Sequence, residues 1–303
     1  MNGVVIVDKP QGCTSHDVVR GVRKAVNQKS VGHAGTLDPL ATGVLVVAIG
    51  EATKLVQHLQ AHDKTYKATI RLGVETDSLD ADGEVTARAP VPELDAPRIE
   101  DALTSFLGLR PQQVPAMSAV KVDGKPLHRR VRRGERVNPP TKDVTLHEAN
   151  VDAVSGDEIQ LTIRCSKGFY VRSLARDLAE ALGTKGHLTA LRRTVSGPFT
   201  VEQSVDGDAL SKEAIVDRLI PLNEACGALL QVELTDSGVD NARHGRPIRA
   251  DELVGANWRE AGAEEAMALM TAEGDLVALG KKTDDGVRVV RGFAMPSSVV
   301  VGH

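Results

Sequence analysis

The segment GHAGTLDPLATG at residues 32–43 constrains the fold most, because its three glycines and one proline oppose a continuous helix or strand. The apolar run VLVVAI at residues 44–49 follows directly and predicts a buried strand. Asp38 therefore lies in an irregular loop next to a rigid element, where catalytic groups are often found. From spacing alone, Asp38 is either such a group or the start of an Asx-turn before Pro39.

Strand and helix patterns in the rest of the chain predict a mixed fold. Residues 64–72 alternate apolar and polar side chains, which is typical of a strand with one buried face. Further strands are predicted at residues 3–8, 44–49, 117–122, 144–151, 158–165 and 188–195. Helices are predicted from Thr14 or Ser15 to Val26 and at residues 51–60, 98–106 and 173–182, the last ended by Gly183. Because strands and helices do not alternate regularly, the predicted fold class is α+β.

A second, smaller unit is predicted to follow residue 224. Short apolar pieces at residues 267–271, 276–280 and 287–293 are separated by glycine and aspartate turns. We therefore divide the chain into a first domain at residues 1–224 and a small β-rich domain at residues 225–303.

Cysteine usage and hydrophobicity narrow the functional classes. The three cysteines, Cys13, Cys165 and Cys226, stand apart without CxxC spacing, so neither a disulfide framework nor a structural zinc site is expected. No apolar run approaches the roughly 18 residues of a membrane span, and the first residues lack the pattern of a signal peptide. We expect a cytoplasmic protein with no membrane partner.

Charge is distributed unevenly along the chain. The net charge is −4, but the stretch from Lys121 to Lys142 holds eight bases against two acids. Such a local excess of positive charge can bind phosphate without making the whole surface basic. From composition alone, this basic segment is either a nucleic-acid contact or an exposed, solvated loop.

Eight ordered segments resemble the TruB family of pseudouridine synthases. Residues 32–43, continued by Val44 and Leu45, match its GHxGxLDPxATGxL signature. The others are VDKPQGCTSHDVV (7–19), GEATKL (50–55), KTYKATIRLG (64–73), TDSLDADGEV (76–85), VPAMSAVKVDGK (114–125), SKGFYVRSLARDLAEALG (166–183) and HLTALRRTVSGPF (187–199). The resemblance implies a pseudouridine synthase fold with a central mixed, mostly antiparallel sheet and a PUA-like C-terminal domain. It also implies isomerisation of uridine to pseudouridine at position 55 in the T loop of tRNA.

The resemblance assigns catalytic roles to Asp38, Tyr66 and Arg172. Asp38 is implied to act at the ribose, either as a nucleophile at C1′ or as a base in a route through a glycal. Arg172 is implied to pair with Asp38, which would lower the pKa of that carboxyl group. Tyr66 is implied to pack against the uracil near C5 and to assist its deprotonation. No cofactor or metal is expected, because the isomerisation adds and removes no atom.

Further residues are implied to bind the substrate. His33 is expected to enter the stack that the flipped base leaves. Tyr170 and Leu191 are expected to contact the base, and both tyrosines of the chain fall within matched segments. Lys9 supports the site or is a turn lysine, and Lys64 is placed with the substrate-binding residues.

The basic segment is implied to be a thumb-like insertion at about residues 121–142 that closes over the T arm of tRNA. The residues expected at the RNA backbone are Lys121, Arg129, Arg130, Arg132, Arg133 and Arg136. His128 departs from the family pattern, which commonly has an aromatic residue there. The C-terminal domain either contacts RNA or is a structural cap, and we expect a monomer that requires no protein partner.

Two other functions compete with this interpretation. One is a non-catalytic protein that binds and folds tRNA on the same scaffold. The other is a nucleosidase that hydrolyses the glycosidic bond with the same carboxylate and releases free uracil.

Overall fold

The computed structural model of the protein describes residues 1–122, 124–131, 133–135 and 137–294, without the side chains of Pro126 and His128. The strands are β1 (Gly3–Lys9), β2 (Val31–His33), β3 (Thr42–Ile49), β4 (Lys64–Leu72), β5 (Val74–Thr76), β6 (Val85–Arg88), β7 (Gly108–Gln113), β8 (Lys121–Val122), β9 (Lys125–Pro126), β10 (Thr141–Ser155), β11 (Glu158–Cys165), β12 (Gly186–Ser196), β13 (Phe199–Thr200), β14 (Val205–Asp206), β15 (Leu230–Glu233), β16 (Ile248–Arg249), β17 (Ala266–Met270), β18 (Leu276–Thr283) and β19 (Gly286–Gly292). The α-helices are α1 (Ser15–Val26), α2 (Val56–Leu59), α3 (Ala96–Thr104), α4 (Leu127–Val131), α5 (Val171–Ala181), α6 (Lys212–Asp217), α7 (Leu222–Ala225) and α8 (Asp236–Arg243).

A ten-stranded sheet forms the centre of the protein. Its strands follow the order β14-β1-β3-β12-β4-β11-β10-β7, with β2 paired to β3 and β13 paired to β12. Only the pairs β1–β14 and β3–β12 are parallel. The predicted α+β class with a mixed, mostly antiparallel sheet is therefore confirmed.

Strand β4 lies in the middle of this sheet and carries the alternation predicted from its sequence. Its buried residues, among them Tyr66, Ala68 and Ile70, point to one face, and β12 and β11 cover its two edges. Helix α5 packs on that face through Leu174 and Leu178. Full burial of one such aliphatic side chain stabilises the fold by about 1.5–3 kcal/mol, so this layer fixes the positions of β4, β12 and α5.

The ends of helix α1 agree with the sequence. Thr14 is its N-cap and forms a capping box with Asp17. The helix ends at Asn27, whose φ of 48° is left-handed. A fixed α1 matters for the site because Ser15, in its first turn, contacts the loop that carries Asp38.

Several segments differ from the sequence predictions, and three of them lie in or beside the central sheet. The helix expected at residues 51–60 is a 3₁₀ turn, Gly50–Leu55, followed by the short α2. Only the last two residues of the strand expected at 117–122 are extended, as β8. Strand β7 was not predicted; it contains Pro111 and is an edge strand of the sheet, where proline is tolerated.

A five-stranded sheet of order β15-β17-β18-β19-β16 follows, and the β-rich character of the C-terminal part is confirmed. It packs against the first sheet in one apolar cluster that joins Met270 and Phe293 to Val44 and Leu55. The backbone N–H of Ala294 also donates to the Glu51 carboxylate at 2.6 Å. The boundary after residue 224 and the likeness to a PUA domain stay predictions.

Among the residues described, no helix has both the length and the apolar character that a membrane crossing requires.

Candidate active site

A cleft of about 640 Å³ opens above the middle of the central sheet. Its walls come from the loop before β3, from strands β4, β10 and β12, and from the start of α5. Asp38, Tyr66, Arg172, Tyr170, Leu191 and Lys64 all line it. A cavity of about 680 Å³ lies in the C-terminal part beside Glu233 and Met270, but none of the predicted site residues lines it. The cleft is therefore the candidate active site.

Residues of β1 and α1 hold the loop that carries Asp38 through hydrogen bonds. Ser15 Oγ accepts the N–H of Leu37 at 2.8 Å and donates to the carbonyl of the same residue at 3.1 Å. The buried Lys9 ammonium donates to the carbonyls of Cys13 at 2.7 Å and Pro39 at 3.3 Å. Lys9 has no exposed surface and is not part of the cleft wall. Its contacts correspond to support of the loop, and its place among the substrate-binding residues stays a prediction.

Gly43 fixes the other end of the loop. Its φ of 96° lies in the region that favours glycine, and a Cβ there would come 2.2 Å from the backbone oxygen of Arg193. This close approach lets β3 pair in parallel with β12. The last glycine of the 32–43 segment is thus required by a contact with a strand 150 residues away.

Asp38 and Arg172 form an ion pair at the floor of the cleft. Arg172 Nε lies 2.9 Å from Asp38 Oδ2, and Arg172 Nη2 lies 3.3 Å from Asp38 Oδ1. The Arg172 side chain is buried, whereas 37% of the Asp38 side chain is exposed to the cleft. The arginine thus fixes a carboxylate that remains open to an incoming ligand.

Arg172 also contacts a second carboxylate, on Asp80. Its Nη1 lies 3.4 Å from Asp80 Oδ2 and donates to the carbonyl of Ser78 at 2.8 Å. Asp80 is buried and is itself held by the Ser78 hydroxyl at 2.5 Å. The guanidinium therefore bridges two carboxylates, one exposed to the cleft and one buried.

The pKa of Asp38 differs in direction from the sequence expectation. Burial at the floor of the cleft raises the pKa of Asp38 above its ordinary value, and the nearby negative charge of Asp80 raises it further. Arg172 acts in the expected, opposite sense, but it does not outweigh these effects. The expectation of a lowered pKa was therefore wrong, because it left out the cost of removing a carboxylate from water.

Tyr66, Leu191 and Tyr170 form the apolar walls of the cleft. Burial raises the pKa of the Tyr66 phenol, which keeps it protonated near neutral pH. The backbone of Tyr170 is fixed by Gln112, whose amide accepts the Tyr170 N–H at 2.8 Å and donates to its carbonyl at 3.1 Å. The two aromatic residues are thus in place to pack on a planar ligand.

Lys64 and His33 lie in different settings. The Lys64 ammonium lines the cleft and donates to the carbonyls of Gln60 at 2.7 Å and His62 at 2.6 Å. Burial lowers the pKa of Lys64 to about 8. His33 lies on β2 outside the cleft wall, and burial together with the charge of Arg193 lowers the pKa of its imidazole. The lowered pKa keeps this imidazole neutral at neutral pH.

The basic segment contains the paired strands β8 and β9 and helix α4, and it ends in β10. Buried Leu127 holds the segment to the protein. Lys121, Arg129 and Arg133 are exposed, and Arg130 donates to Glu135 at 2.8 Å. Arg132 and Arg136 lie outside the described residues. Lys142, at the end of the segment, lines the cleft, which links the segment's positive charge to the site.

Sequence reasoning missed three buried polar residues of the site, namely Asp80, Gln112 and Arg193. Asp80 and Arg193 fall inside the segments at 76–85 and 187–199 that resemble the family. That resemblance could have identified both residues from the sequence. Gln112 lies on the unpredicted strand β7, and nothing in its sequence surroundings pointed to it.

Within the described ranges, no group of three or more His, Cys, Asp or Glu side chains could hold a metal ion.

Known proteins resemble this chain in sequence and in structure. Residues 23–171 match the model of the TruB family pseudouridylate synthase N-terminal domain, and residues 172–225 match that of the tRNA pseudouridylate synthase B C-terminal domain. The tRNA pseudouridine synthase B of Arthrobacter sp. (strain FB24) is 44% identical over 92% of this chain and 92% of its own length. That of Thermobifida fusca (strain YX) is 47% identical over 78% of this chain and 83% of its own.

A chain in the structure of an H/ACA RNP bound to a substrate RNA containing 2′-deoxyuridine superimposes with a TM-score of 0.73. It is 27% identical, and the match covers 97% of this chain and 85% of that one. The fold is therefore that of the pseudouridine synthases, as the sequence resemblance implied. With extensive matches in both sequence and fold, the chain belongs to the TruB family of pseudouridylate synthases.

Proposed function

We propose that this protein isomerises the uridine at position 55 in the T loop of tRNA to pseudouridine, with Asp38 acting on the ribose. Conversion of uridine in tRNA is the activity named for the relatives that match over most of the chain. The observation that supports the role of Asp38 is its pairing with Arg172 at 2.9 Å while more than a third of its side chain faces the cleft. A carboxylate that is both fixed and accessible suits attack on a sugar carbon.

The cleft has room for a nucleotide that has left its helix. Its volume of about 640 Å³ lies within the range of roughly 300–1,000 Å³ that is usual for small-molecule sites. A uridine inside a folded T loop must flip out of its stack to reach Asp38, at a cost of a few kcal/mol. Tyr66, Tyr170 and Leu191 line the space that the base would occupy.

In the proposed reaction, the bond from C1′ to N1 breaks, the uracil turns, and C1′ joins C5. Asp38 either bonds to C1′ and is later displaced by C5, or removes a proton from C2′ and returns it. In both routes N1 gains one proton and C5 loses one, so no atom is added overall. The raised pKa of Tyr66 opposes formation of a phenolate, and we therefore assign Tyr66 to packing on the base rather than to proton removal at C5.

The decisive experiment incubates the protein with an unmodified tRNA transcript and maps pseudouridine along it. We expect one site, in the T loop, and loss of product with retained tRNA binding for Asp38→Asn. Formation of free uracil would instead indicate a nucleosidase. A wild-type protein that binds and refolds tRNA without forming pseudouridine would indicate the non-catalytic alternative.

We further propose that the basic segment binds the tRNA backbone. Replacing exposed Arg129 and Arg133 by glutamine should weaken binding and flatten its dependence on salt, because each phosphate contact adds to the salt slope. A matched control replaces Arg88 on β6 and Arg98 on α3, both exposed, by glutamine. Equal salt slopes for the two double variants would remove the segment from the interface.

A further inference from the structure

Arg193 is a buried arginine of the cleft that the proposed roles leave unused. It lies on β12 with 1% of its surface exposed, yet it is part of the cleft wall. Its Nε donates to the carbonyl of Val44 at 2.7 Å, and its Nη2 donates to that of Gly35 at 3.1 Å. These are two of the five N–H groups that a guanidinium carries.

The charge of Arg193 has no carboxylate partner within the described part of the chain. Arg172 and Arg192 differ from it in this respect. Arg172 bridges Asp38 and Asp80, and Arg192, the neighbour of Arg193 on the opposite face of β12, pairs with Asp8 at 2.7 Å. A buried charge without a counter-charge destabilises the folded state. Such a cost is reasonable where negative charge arrives with a ligand or develops during a reaction.

The position of Arg193 places this positive charge on the base side of the cleft. Arg193 lies directly opposite Tyr66 in the β12–β4 register, so both side chains are on the same face of the sheet. Arg193 also makes a side-chain hydrogen bond with Tyr66, and a Cβ at Gly35 would lie 3.6 Å from Arg193 Nη1, an ordinary contact distance. Lys64, also in the cleft wall, adds a second cation beside Arg193.

The chemistry requires stabilisation on this side. When the C1′–N1 bond breaks, its electron pair leaves with the uracil and spreads over N1, O2 and O4. We propose that Arg193 is a catalytic residue whose guanidinium stabilises this uracil anion until C5 bonds to C1′. The two ends of the breaking bond would then face separate groups, with the Asp38–Arg172 pair at the sugar and Arg193 at the base. This inference rests on the proposed isomerisation.

The test varies both the arginine and the acidity of the departing base. Single-turnover rates are measured for wild type, Arg193→Met and Arg193→Lys on tRNA carrying either uridine or 5-fluorouridine at the target position. Fluorine withdraws electrons and stabilises the uracil anion without help from the protein. Arg192→Met is the matched control, because it removes an arginine from the same strand on the opposite face.

With uridine, we expect Arg193→Met to be about 10²–10³-fold slower, the effect of removing one donor to a developing anion, with unchanged tRNA affinity. With 5-fluorouridine, whose disappearance is measured, the difference in rate between wild type and Arg193→Met should shrink at least tenfold. Arg193→Lys should recover part of the rate on both substrates.

If Arg193→Met merely displaced the loop through loss of the Val44 and Gly35 contacts, the reactions of both substrates would slow by the same factor. That equal deficit, or a wild-type rate for Arg193→Met, would overturn the inference. Absence of any reaction in the wild type would instead refute the proposed function.

Discussion

Replacing Asp80 by asparagine tests whether the buried carboxylate controls the exposed one through Arg172. The change keeps the size of the side chain and removes its charge. Arg172 Nη1 then loses the carboxylate oxygen at 3.4 Å but keeps the carbonyl of Ser78 at 2.8 Å and both oxygens of Asp38. The arginine is therefore left with one counter-charge instead of two.

The size of the effect follows from these remaining contacts. Because Asp38 still neutralises Arg172, the cost of about 3–5 kcal/mol for a fully abandoned buried charge does not apply. Loss of the ion pair with Asp80 should lower the free energy of unfolding by about 0.5–3 kcal/mol, the usual range for a destabilising substitution. Catalysis should suffer more, since a displacement of about 1 Å in a reacting group can cost about 100-fold in rate. We expect kcat to fall by about that factor while KM for tRNA changes little.

The pH dependence gives a second, independent measure. Asp38 must be ionised to act, so the rate is lost as the pH falls through its pKa. The charge of Asp80 raises that pKa, and its removal should move the acid limb of the kcat profile to lower pH. Asp82→Asn is the control, because exposed Asp82 also raises the pKa of Asp38 but has no ion pair with Arg172 among the described contacts. This variant should shift the acid limb of the kcat profile slightly and leave the maximal kcat unchanged. An Asp80→Asn enzyme with wild-type plateau and acid limb would refute this account of the pair.

Two further predictions concern the loop and the base side of the cleft. Gly43→Ala should lower the melting temperature markedly, because it adds left-handed strain of about 1–3 kcal/mol to a clash with the Arg193 backbone at 2.2 Å. Gly32→Ala, with no atom within 4 Å of the added carbon, should be nearly neutral in the same thermal melt, and equal losses would contradict the reasoning. Lys64, whose pKa is about 8, is cationic below that pH and loses its charge above it, so kcat should decline on the alkaline side near pH 8. Lys64→Arg should move that decline upward, and an unmoved profile would assign it to another group.

Prediction from sequence succeeded where a local pattern carried the information. The alternation in β4, the start of α1 and the paired strands β10 and β11 all depend on residues close together in the chain. It failed at residues 50–60 and at β7, where neighbours in space decide the conformation. The edge position of β7 makes Pro111 acceptable, and an edge position cannot be recognised before the sheet is assembled.

The sequence by itself determined the fold class, the family and the identity of the paired residues Asp38 and Arg172, because these depend on residue types in a fixed order. The tertiary structure alone decided which charges are compensated. Residues 38, 80 and 172 converge from three separate segments to form one ion-pair network, whereas Arg193 ends beside Tyr66 without a carboxylate. Burial and distance set the energy of a charge, and both exist only once the strands have been brought together.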